Sequence, residues 1–498
     1  MTLPATNTPA VRFALDRDWR MLIAGELVPA LGGGRREVVN PATASTITSV
    51  PAAGVEDVDR AVEAAAAAFP AWRRTPAAER ARRVQALADA IEANGEELAW
   101  IDTLDNDSPI KVMRGDYRLA VEQLHYFAGL ALALRGESVP TPEPGSFDFT
   151  LREPYGVVAR IVPFNHPFMF AASKLGAPLV AGNTVVLKPS QHTSLSALRL
   201  GELCAAIFPP GVVNVLSGRG SVVGDRLVGH PKVSRIAFTG SVEVGLGIQR
   251  QAATHHVKVV TLELGGKNPI IVFEDADREA ALAGAMRGMN FTWQGQSCGS
   301  TSRLYVQRSI YPEFVAELGR RMDAMVVGDP ADEATDVGAV VSRQQYDSVA
   351  RYIDGAVADP RARLVAGGPP RAGQYGDGYF VRPTLIALEQ GEDLAVACEE
   401  IFGPVLVAMP FDGYDEVIER ANALPLGLTA SVWTTDLKRA MTAVRDLETG
   451  YAWVNWSSTH LPGTPFGGVK DSGVGREESL EELYGYTQAK NVYIRFEG

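Results

Sequence analysis

From Gly156 onwards, the sequence alternates between short runs of Val, Ile and Leu and longer segments of helix-forming composition. The first apolar runs are GVVARIVPFN, NTVVLKP, GVVNVLSG, VSRIAFTG and VKVVTLELGG. Runs this uniformly apolar suit strands of a sheet that is covered on both faces. Their alternation with helical segments is typical of parallel βαβ units. The pattern therefore predicts an α/β protein, and no other feature constrains the fold as strongly.

A second series of the same kind starts near Asn268. Its apolar runs are PIIVFE, SRLYVQ, PTLIAL, PVLVAMPF, TASVWT and YAWVNW. A chain of 498 residues is too long for one compact core, and its length favours two to four domains. Two α/β units of this type leave a cleft between them, which is the usual place for a ligand.

Helices are predicted before this alternation begins. The stretch from Val55 to Gly95 is rich in Ala, Arg and Glu, which favour helix, and Gly95 is a plausible stop. A further helix is expected over roughly Ile110 to Leu134. The Pro- and Gly-containing stretch that follows reads as a linker and then an extended strand.

Composition narrows the function by exclusion. The formal net charge of −12 argues against a nucleic-acid or acidic-membrane surface, because both attract basic patches. The three cysteines are far apart and lack metal-ligand spacing, which favours a reducing compartment and argues against a disulfide framework or a metal site. The first twenty residues lack the order of a signal peptide, and no run of eighteen apolar residues occurs. We therefore expect a cytoplasmic protein.

Cys298 stands in the polar, glycine-flanked stretch FTWQGQSCGS. A buried cysteine ordinarily behaves as a small hydrophobe among other apolar residues. Here the neighbours are small and polar, so a ligand has room to approach the thiol. The stretch by itself is equally compatible with a turn that has no chemical role.

Two short stretches are candidates for binding a nucleotide. RIAFTGSVEVG gives a strand, a turn at Gly240 and Ser241, and a helix with Gly245 one turn further along. The free N–H groups at such a helix start can face an anion, although the usual GxGxxG fingerprint is absent. In LKPSQ, Lys188 ends a strand, where it can donate to ribose hydroxyls or simply be solvated.

The motifs PFNHP, LKPS, FTGS, LELGGKNP, GQSC, EEIFGP and PFGGVKDSG follow one another in a fixed order. This series resembles the aldehyde dehydrogenase superfamily, from about Trp19 to the last strand. The resemblance implies a variant Rossmann cofactor domain, an α/β catalytic domain and a small β bridging arm.

The same resemblance implies the catalytic residues. Cys298 matches the nucleophile that adds to the aldehyde carbon, and a thiolate suits this task because it can leave later from a thioester. Asn165 matches the side-chain donor to the resulting oxyanion, with the Cys298 backbone N–H as the second donor. Glu263 matches the general base that activates water against the thioester. Relatives that pass the acyl group to coenzyme A generally lack this glutamate, so its presence implies release of a free acid.

The cofactor implied is NAD or NADP. Lys188 matches the residue that holds the adenosine ribose, Glu400 the residue that holds the nicotinamide ribose, and Phe402 a neighbour of the nicotinamide. The full set of expected cofactor-binding residues is Pro163, Lys188, Gln191, Gly220, Gly240, Ser241, Gly245, Leu264, Glu400 and Phe402.

Gln191 departs from the pattern of many NAD-preferring relatives. Those relatives carry a glutamate three places after the lysine, where its charge repels a 2′-phosphate. Without this charge the penalty against NADP is removed, so we expect the chain to use both cofactors.

The aldehyde is less well defined by the motifs. Alignment to them predicts a substrate tunnel lined by His166, Phe170, Ser173, Thr292, Trp456 and Phe466, with His460 near its mouth. Hydroxyl groups replace the aromatic rings that many users of aliphatic aldehydes carry. This lining favours a small aromatic or oxygen-bearing aldehyde, with a semialdehyde as the alternative, although no arginine pair is evident for a distal carboxylate.

The resemblance also implies domain boundaries and an assembly. Residues 1–135 and 155–265 would bind the cofactor, 266–465 would form the catalytic domain, and 136–154 with 466–498 would form the arm. An exposed two-stranded arm is unstable alone and leaves edges that call for a partner. We therefore expect a homodimer or a homotetramer.

Other functional classes fit the sequence less well. A binding protein on the same scaffold would be signalled by loss of Cys298, Glu263 or Asn165, and all three are present. A thiol hydrolase would need a histidine base, and none lies within GQSC or LELGG. A reductase or an enzyme that acylates coenzyme A is opposed by Glu263.

Overall fold

The computed structural model describes residues 16–370 and 373–496. Residues 1–15, to which most of the signal-peptide expectation refers, and residues 497–498 of the expected arm lie outside the described residues. In chain order the described strands are β1 (Met21–Ile23), β2 (Glu26–Val28), β3 (Arg35–Asn40), β4 (Ser45–Pro51), β5 (Ser138–Val139), β6 (Ser146–Pro154), β7 (Val157–Ile161), β8 (Thr184–Lys188), β9 (Val213–Val215), β10 (Val233–Thr239), β11 (Val259–Glu263), β12 (Pro269–Val272), β13 (Arg303–Gln307), β14 (Ala362–Ala366), β15 (Gln374–Asp377), β16 (Thr384–Leu388), β17 (Val405–Phe411), β18 (Leu426–Gly427), β19 (Thr429–Trp433), β20 (Tyr451–Val454), β21 (Val469–Lys470), β22 (Gly473–Val474) and β23 (Thr487–Arg495).

The described α-helices are Val55–Trp72, Ala77–Ala93, Gly95–Asn106, Ile110–Gly129, Pro167–Ser173, Gly176–Ala181, Leu195–Ile207, Asp225–Gly229, Val242–Ala252, Arg278–Gly288, Tyr311–Asp323, Arg343–Ala358, Ala395–Cys398, Tyr414–Asn422, Leu437–Asp446 and Leu480–Gly485. A π-helix spans Gly220–Gly224 and a 3₁₀ helix spans Phe291–Trp293. None of the helices in these ranges combines the length and hydrophobicity that crossing a membrane requires.

The first sheet has the strand order β2-β1-β9-β8-β7-β10-β11-β22. Its central strands β9, β8, β7, β10 and β11 are parallel, whereas β1 and β22 pair with it antiparallel. Every residue of β7 and β8 is buried, as expected for strands covered on both faces. The chain runs outward from β7 through β8 to β9 and then crosses to β10. The switch point between β7 and β10 is where ligands bind in sheets of this kind.

The second sheet has the order β14-β16-β17-β13-β12-β19-β20 and is parallel except for β14. Its two faces are covered by separate apolar clusters, one built around Val405 and Val407 and the other around Leu304 and Leu406. Two largely parallel sheets with helices on their faces confirm the predicted α/β class.

A third sheet joins distant parts of the chain. β23 pairs with β6 over nine residues, from Thr487 opposite Pro154 to Arg495 opposite Ser146, and β5 flanks β6. The short strand β22 lies elsewhere, since it pairs with β11 and its neighbour Ser472 accepts a hydrogen bond from the Leu264 N–H. This part of the predicted arm segment therefore extends the first sheet.

Two helix ends differ from the sequence expectation. The second helix ends at Ala93, and Gly95 begins the next helix rather than only stopping the previous one. The predicted helix over Ile110–Leu134 ends at Gly129, because the N–H of Leu130 bonds back to carbonyls of the last turn and Leu132 is 73% exposed. Beyond Gly129 the chain continues in turns, although Ala131 and, in part, Leu130 and Leu134 still pack against the core.

Candidate active site

A cleft of about 1020 Å³ opens at the carboxyl ends of β7, β8, β10 and β11. It reaches the switch point of the first sheet and extends to residues of the second sheet's domain. Most of the predicted catalytic and cofactor-binding residues line this cleft: Pro163, Asn165, Lys188, Gln191, Gly220, Gly240, Ser241, Glu263, Cys298, Glu400 and Phe402. Gly245 and Leu264 lie behind the lining, where a side chain at Gly245 would come within 2.8 Å of Leu264 Cδ2.

Cys298 is half-buried on a loop with a constrained backbone. Asn290 and Gln294, on either side of the short 3₁₀ helix before it, have φ angles of 53° and 55°, in the left-handed region. Non-glycine residues adopt this region at a cost and cluster at functional sites. Asn268 secures the far side of the loop: its Nδ2 donates to the Cys298 carbonyl at 2.7 Å and to the Ser300 carbonyl at 2.9 Å. The thiol is thus held at the wall of the cleft.

Burial and nearby carboxylates oppose ionisation of the thiol. Burial, followed by the charges of Glu400 and Glu263, raises the pKa of Cys298 to about 12. The thiolate is the reactive form of cysteine. A base or a change in these carboxylates is therefore needed to generate it at neutral pH.

Asn165 follows β7 and faces the same cleft as Cys298. Its side chain is 3% exposed, and its Oδ1 has no hydrogen-bond partner within the described residues. The Cys298 backbone N–H is likewise not used in a hydrogen bond there. A buried amide without a protein partner usually has another ligand, so this position is available to a substrate.

Glu263 ends β11 and is also buried, with neither carboxylate oxygen hydrogen-bonded in the described part of the chain. Burial, followed by the charge of Glu477, raises its pKa well above the usual range. The space beside the Glu263 carboxylate is open because residue 467 is a glycine. A Cβ added at Gly467 would lie 2.7 Å from Glu263 Oε1. The carboxylate is therefore held in a low-dielectric position that raises its basicity.

A buried ion cluster lies behind Glu263. Lys174 Nζ is 2.8 Å from Glu477 Oε2, and Arg160 contacts the other oxygen at 2.5 Å. Burial opposes ionisation of Glu477, but Arg160 and Lys174 outweigh it and lower its pKa to about 2. These groups come from β7, a short helix and the C-terminal segment, and sequence reasoning missed them because no local motif joins them.

Glu400 and Phe402 face the cleft from the second domain. Glu400 Oε1 accepts a hydrogen bond from the Gly266 N–H at 3.1 Å, and burial raises its pKa to about 7. A side chain at Gly265 would overlap the Glu400 carboxylate, so the LELGG glycines are required there. Phe402 has a φ of 54° and packs edge-on against Phe164 with 5.5 Å between ring centroids.

The turn after β10 has the expected form. The Gly240 N–H donates to the Glu263 carbonyl at 3.0 Å, which joins the ends of β10 and β11. Ser241 caps the helix Val242–Ala252, and its Oγ accepts a hydrogen bond from the Val244 N–H. Gly240, Ser241 and Val244 line the cleft, so this helix begins at its wall. The N–H groups of a first helical turn can stabilise an anion.

The other end of the cleft is basic. Lys188 is 4% exposed and donates to the Pro189 carbonyl at 3.0 Å. Burial and then the charge of Arg36 lower its pKa to about 8. Arg36, which bonds to the Gln191 carbonyl, and Arg219 also line the cleft, and neither forms an ion pair within the described residues. Sequence reasoning missed both arginines because they lie in loops and strands without a motif.

The predicted substrate residues lie beside this cleft rather than in its lining. His166 Nδ1 is 2.8 Å from Asp116 Oδ2, and the ring contacts Phe170 and Trp293. Ser173 is fully buried, and its hydroxyl approaches only the Met169 sulfur, at 3.8 Å. Thr292 is half-buried within the 3₁₀ helix that precedes Cys298.

Phe466 and Trp456 lie in the segment that follows β20. Phe466 is 6% exposed and packs against His460, with ring centroids 4.3 Å apart. Trp456 is 48% exposed and is covered on one face by Arg287, whose guanidinium carbon lies 3.9 Å from the ring centroid. Among the described residues, no cluster of three or more His, Cys, Asp or Glu side chains is arranged to hold a metal ion.

A thiol in the wall of a cleft, at the switch point of a parallel sheet, is typical of enzymes that bond covalently to a substrate beside a bound nucleotide. The fold and the site together define an enzyme of this class.

Comparisons with known proteins identify the family. The aldehyde dehydrogenase family profile matches residues 29–492. Phenylacetaldehyde dehydrogenase of Pseudomonas fluorescens is 43% identical over 488 residues, covering 96% of this chain and 96% of that protein. Hydroxyisobutyraldehyde dehydrogenase of Mycolicibacterium austroafricanum is 40% identical over 478 residues, covering 96% and 94%. The NAD⁺ complex of a Bacillus cereus aldehyde dehydrogenase is 39% identical, with a TM-score of 0.95 and coverage of 98% of this chain and 99% of that chain.

The chain therefore belongs to the aldehyde dehydrogenase family and is an oxidoreductase that acts on aldehydes. The family and the architecture that the motifs predicted are confirmed.

Proposed function

We propose that this enzyme oxidises an aldehyde to the free carboxylic acid, with NAD or NADP as cofactor. The observation that carries the proposal is that Cys298, Asn165 and Glu263 line one cleft. Glu263 is also near enough to Cys298 for its charge to raise the pKa of the thiol.

The reaction begins at Cys298. The thiolate adds to the aldehyde carbon, and the carbonyl π electrons move to oxygen to form a tetrahedral thiohemiacetal anion. The Asn165 amide and the Cys298 N–H stabilise that oxygen, and loss of one such donor typically costs about 3–4 kcal/mol in the barrier. The Cys298 N–H is free of other protein partners in the described residues, which leaves it available for this role.

The tetrahedral carbon then loses hydride and becomes a thioester on Cys298. A nicotinamide bound in the cleft would supply the acceptor for this hydride. Glu263 next removes a proton from water, whose oxygen attacks the thioester carbon and displaces the Cys298 thiolate. A carboxylate whose pKa is raised by burial is a stronger base than one in water, which suits Glu263 to this step.

The cleft fits a dinucleotide. Glycines at positions 240, 245, 265 and 467 keep it open, because a Cβ at any of them would meet a side chain of the site or of the wall behind it. Lys188 and Gln191 would hold the adenosine ribose, Gly240 and Ser241 the diphosphate, and Glu400 the nicotinamide ribose. Gly220 and Gly245 would line the adenine side. A relative from Bacillus cereus binds NAD⁺ in a structure of the same fold.

We propose that NADP is accepted as well as NAD. Gln191 carries no charge to repel a 2′-phosphate, and Arg36, Lys188 and Arg219 bring three basic side chains to the same cleft lining. Arginine is well suited to bind phosphate because its planar donors contact two oxygens at once. Comparison of kcat/KM for the two cofactors tests this, and a large NAD preference would contradict it.

The substrate that we propose is a small aromatic or oxygen-bearing aldehyde. The relatives named for phenylacetaldehyde and for hydroxyisobutyraldehyde support these two chemical classes. The aromatic rings and histidines around the Cys298 loop are compatible with both.

The test is the rise in absorbance at 340 nm with a panel of aromatic, aliphatic and semialdehyde substrates, each run with NAD and with NADP. Cys298→Ala should abolish turnover, whereas Cys204→Ala, at a buried cysteine in the helix Leu195–Ile207, should leave it intact. Turnover that persists in Cys298→Ala would contradict the assignment of the nucleophile. Strict dependence on added coenzyme A would contradict release of the free acid.

We also propose a homodimer or homotetramer in which the β5–β6–β23 sheet bridges subunits. Phe147, Leu151, Tyr493 and Ile494 are 36–50% exposed on this sheet, and Phe496 is 68% exposed. Exposed apolar groups on a sheet with a free edge favour burial against a partner. Light scattering after size-exclusion chromatography tests the oligomer, and replacing Phe147 and Ile494 with Lys should dissociate it.

We further propose a cytoplasmic location. The three free cysteines within the described residues support a reducing compartment.

A further inference from the structure

Gln296 is a buried amide two residues before the nucleophile, and both of its ends are hydrogen-bonded. Its side chain is 1% exposed. Its Oε1 accepts from the Val341 N–H at 3.1 Å, and its Nε2 donates to Gln294 Oε1 at 3.0 Å. Moving such an amide would leave polar groups without partners in a place that water does not reach. The loop of residues 294–298 is therefore fixed to the chain segment at Val341.

Gln294 and Asp107 close this connection into a ring. Gln294 is fully buried, and its Nε2 donates to the Asp107 carbonyl at 3.4 Å. The Asp107 side chain in turn accepts from the Ala339 N–H at 2.5 Å, and Ala339 lies two residues before Val341. Three segments that are distant in sequence thus hold one another. The ring cannot relax at Gln296 without losing a bond at another point.

Val341 leads on to the loop that carries Phe402. The next residue, Ser342, caps the following helix, because its Oγ accepts from the Gln345 N–H at 3.2 Å. From the first turn of this helix, Gln345 Nε2 donates to the carbonyls of Ile401 and Phe402 at 2.9 and 2.8 Å. A continuous series of bonds therefore joins the nucleophile loop to the loop of residues 400–403.

The two loops also touch directly. A Cβ added at Gly295 would lie 2.3 Å from the Gly403 carbonyl oxygen, so the two backbones pack with no side chain between them. Gln294 and Phe402, one in each loop, have φ angles of 55° and 54°. Non-glycine residues keep this conformation only where their surroundings require it, and such strain collects at functional sites. The separation of the loops is thus set by packing and by the buried amides.

We propose that Gln296 is a positioning residue for hydride transfer, because it holds the Cys298 loop at a fixed distance from the loop of residues 400–403. This inference rests on the proposed function. Gln296 does not line the cleft, so it acts through the loop that it holds. The carbon bonded to Cys298 loses its hydride to the nicotinamide as the oxyanion electrons form the thioester carbonyl. Transfer between two carbons is sensitive to their separation, and a displacement of about 1 Å can cost on the order of 100-fold in rate.

The first test uses Gln296→Met, which keeps the length of the side chain and removes both hydrogen bonds. The aldehyde is benzaldehyde, or whichever aldehyde of the panel the wild type oxidises fastest. The single-turnover rate of cofactor reduction should fall by about tenfold or more, because the reacting carbons are no longer held in register. The Kd for NAD, measured by calorimetric titration, should stay within about threefold, because ground-state contacts to the cofactor are kept. An unchanged single-turnover rate would overturn the proposal.

An isotope effect identifies the step that is slowed. Replacing the formyl hydrogen of the aldehyde by deuterium should slow the single turnover of Gln296→Met, because the carbon–hydrogen bond breaks in the limiting step. Absence of this effect would place the defect in another step and contradict the assignment. Gln307→Met is the matched control: Gln307 Oε1 also accepts one backbone N–H, from Glu274 at 2.9 Å, at the end of β13 and outside the cleft. It should keep the wild-type rate.

Amide hydrogen exchange of the cofactor-free enzyme gives a readout that is independent of turnover. Residues 294–298 should exchange at least about tenfold faster in Gln296→Met than in the wild type, since the loop opens more readily without its buried bonds. A purely structural role would lower the melting temperature and the number of active sites, but each site titrated with labelled iodoacetamide would keep the wild-type rate. That result, or unchanged exchange, would overturn the proposal.

A second variant keeps the inference testable if Gln296→Met does not fold. Gln294→Met removes the neighbouring amide and leaves the Val341 bond in place, so the single-turnover rate should fall by about threefold, the effect of one net hydrogen bond. A wild-type rate in Gln294→Met would contradict the role of the pair. If the wild type oxidises aldehydes and the variants match it, only this inference is lost. If it oxidises none with either cofactor, the proposed function itself is wrong.

Discussion

Asn268 secures the loop that carries the nucleophile, so its removal should affect both stability and catalysis. Its amide donates to the carbonyls of Cys298 and Ser300 at 2.7 and 2.9 Å, and its Oδ1 accepts from the Thr429 N–H at 3.0 Å. The side chain is 2% exposed, so water cannot readily replace these bonds. In Asn268→Ala, two carbonyls and one N–H lose their partner together.

The loss of stability in Asn268→Ala can be estimated from the three hydrogen bonds. At about 0.5–1.5 kcal/mol net for each, their loss lowers the free energy of unfolding by about 2–4 kcal/mol. The entropy of unfolding is about 2 cal/mol/K per residue, or about 1 kcal/mol/K for 498 residues, so Tm should fall by about 2–4 °C. Displacement of the thiol by an ångström can cost on the order of 100-fold in rate. We expect kcat/KM to fall by at least about tenfold, with little change in cofactor affinity.

The assay pairs scanning calorimetry at one scan rate with steady-state kinetics. Asn422→Ala is the matched control, because Asn422 also bonds to two backbone groups, the Asp446 carbonyl and the Glu448 N–H, but lies half-buried at the end of the helix Tyr414–Asn422, outside the cleft. It should lower Tm by less and leave kcat/KM unchanged. If Asn268→Ala has wild-type kinetics, or matches Asn422→Ala in both measurements, the assigned role of Asn268 is refuted.

Three further predictions concern the cleft. Because burial and the neighbouring carboxylates raise the pKa of Cys298 to about 12, iodoacetamide should alkylate the cofactor-free enzyme about tenfold faster for each pH unit from 7 to 10, and a plateau near pH 8 would contradict this. Arg219→Gln and Arg36→Gln should each lower kcat/KM for NADP by about tenfold relative to NAD, since each removes one phosphate-facing charge; equal effects on both cofactors would refute a 2′-phosphate role. Glu263→Gln should still form the thioester but hydrolyse it slowly, giving a burst of one reduced cofactor per active site in stopped-flow absorbance, and an unchanged steady-state rate would exclude Glu263 as the base.

The α/β class, the parallel strands of both sheets and the family could be predicted from the sequence. These features are encoded locally: a run such as GVVARIVPFN is apolar throughout because β7 is covered on both faces. The composition around Cys298 likewise predicts an accessible thiol, since small polar neighbours leave space for a ligand.

Contacts between distant segments depended on the tertiary structure. Arg36 and Gln191 meet although they are 155 residues apart, and no periodicity within either segment specifies that contact. Nor does the loop WSSTHLPG reveal that His460 is oriented by Glu478, because a bent backbone with positive φ brings that carboxylate back to it. Local patterns determine elements of five to twenty residues, because propensity and burial act along each element. Which elements become neighbours is decided by strand order and crossover geometry, and it is this order that joins the nucleophile and the charged groups of the cleft into one site.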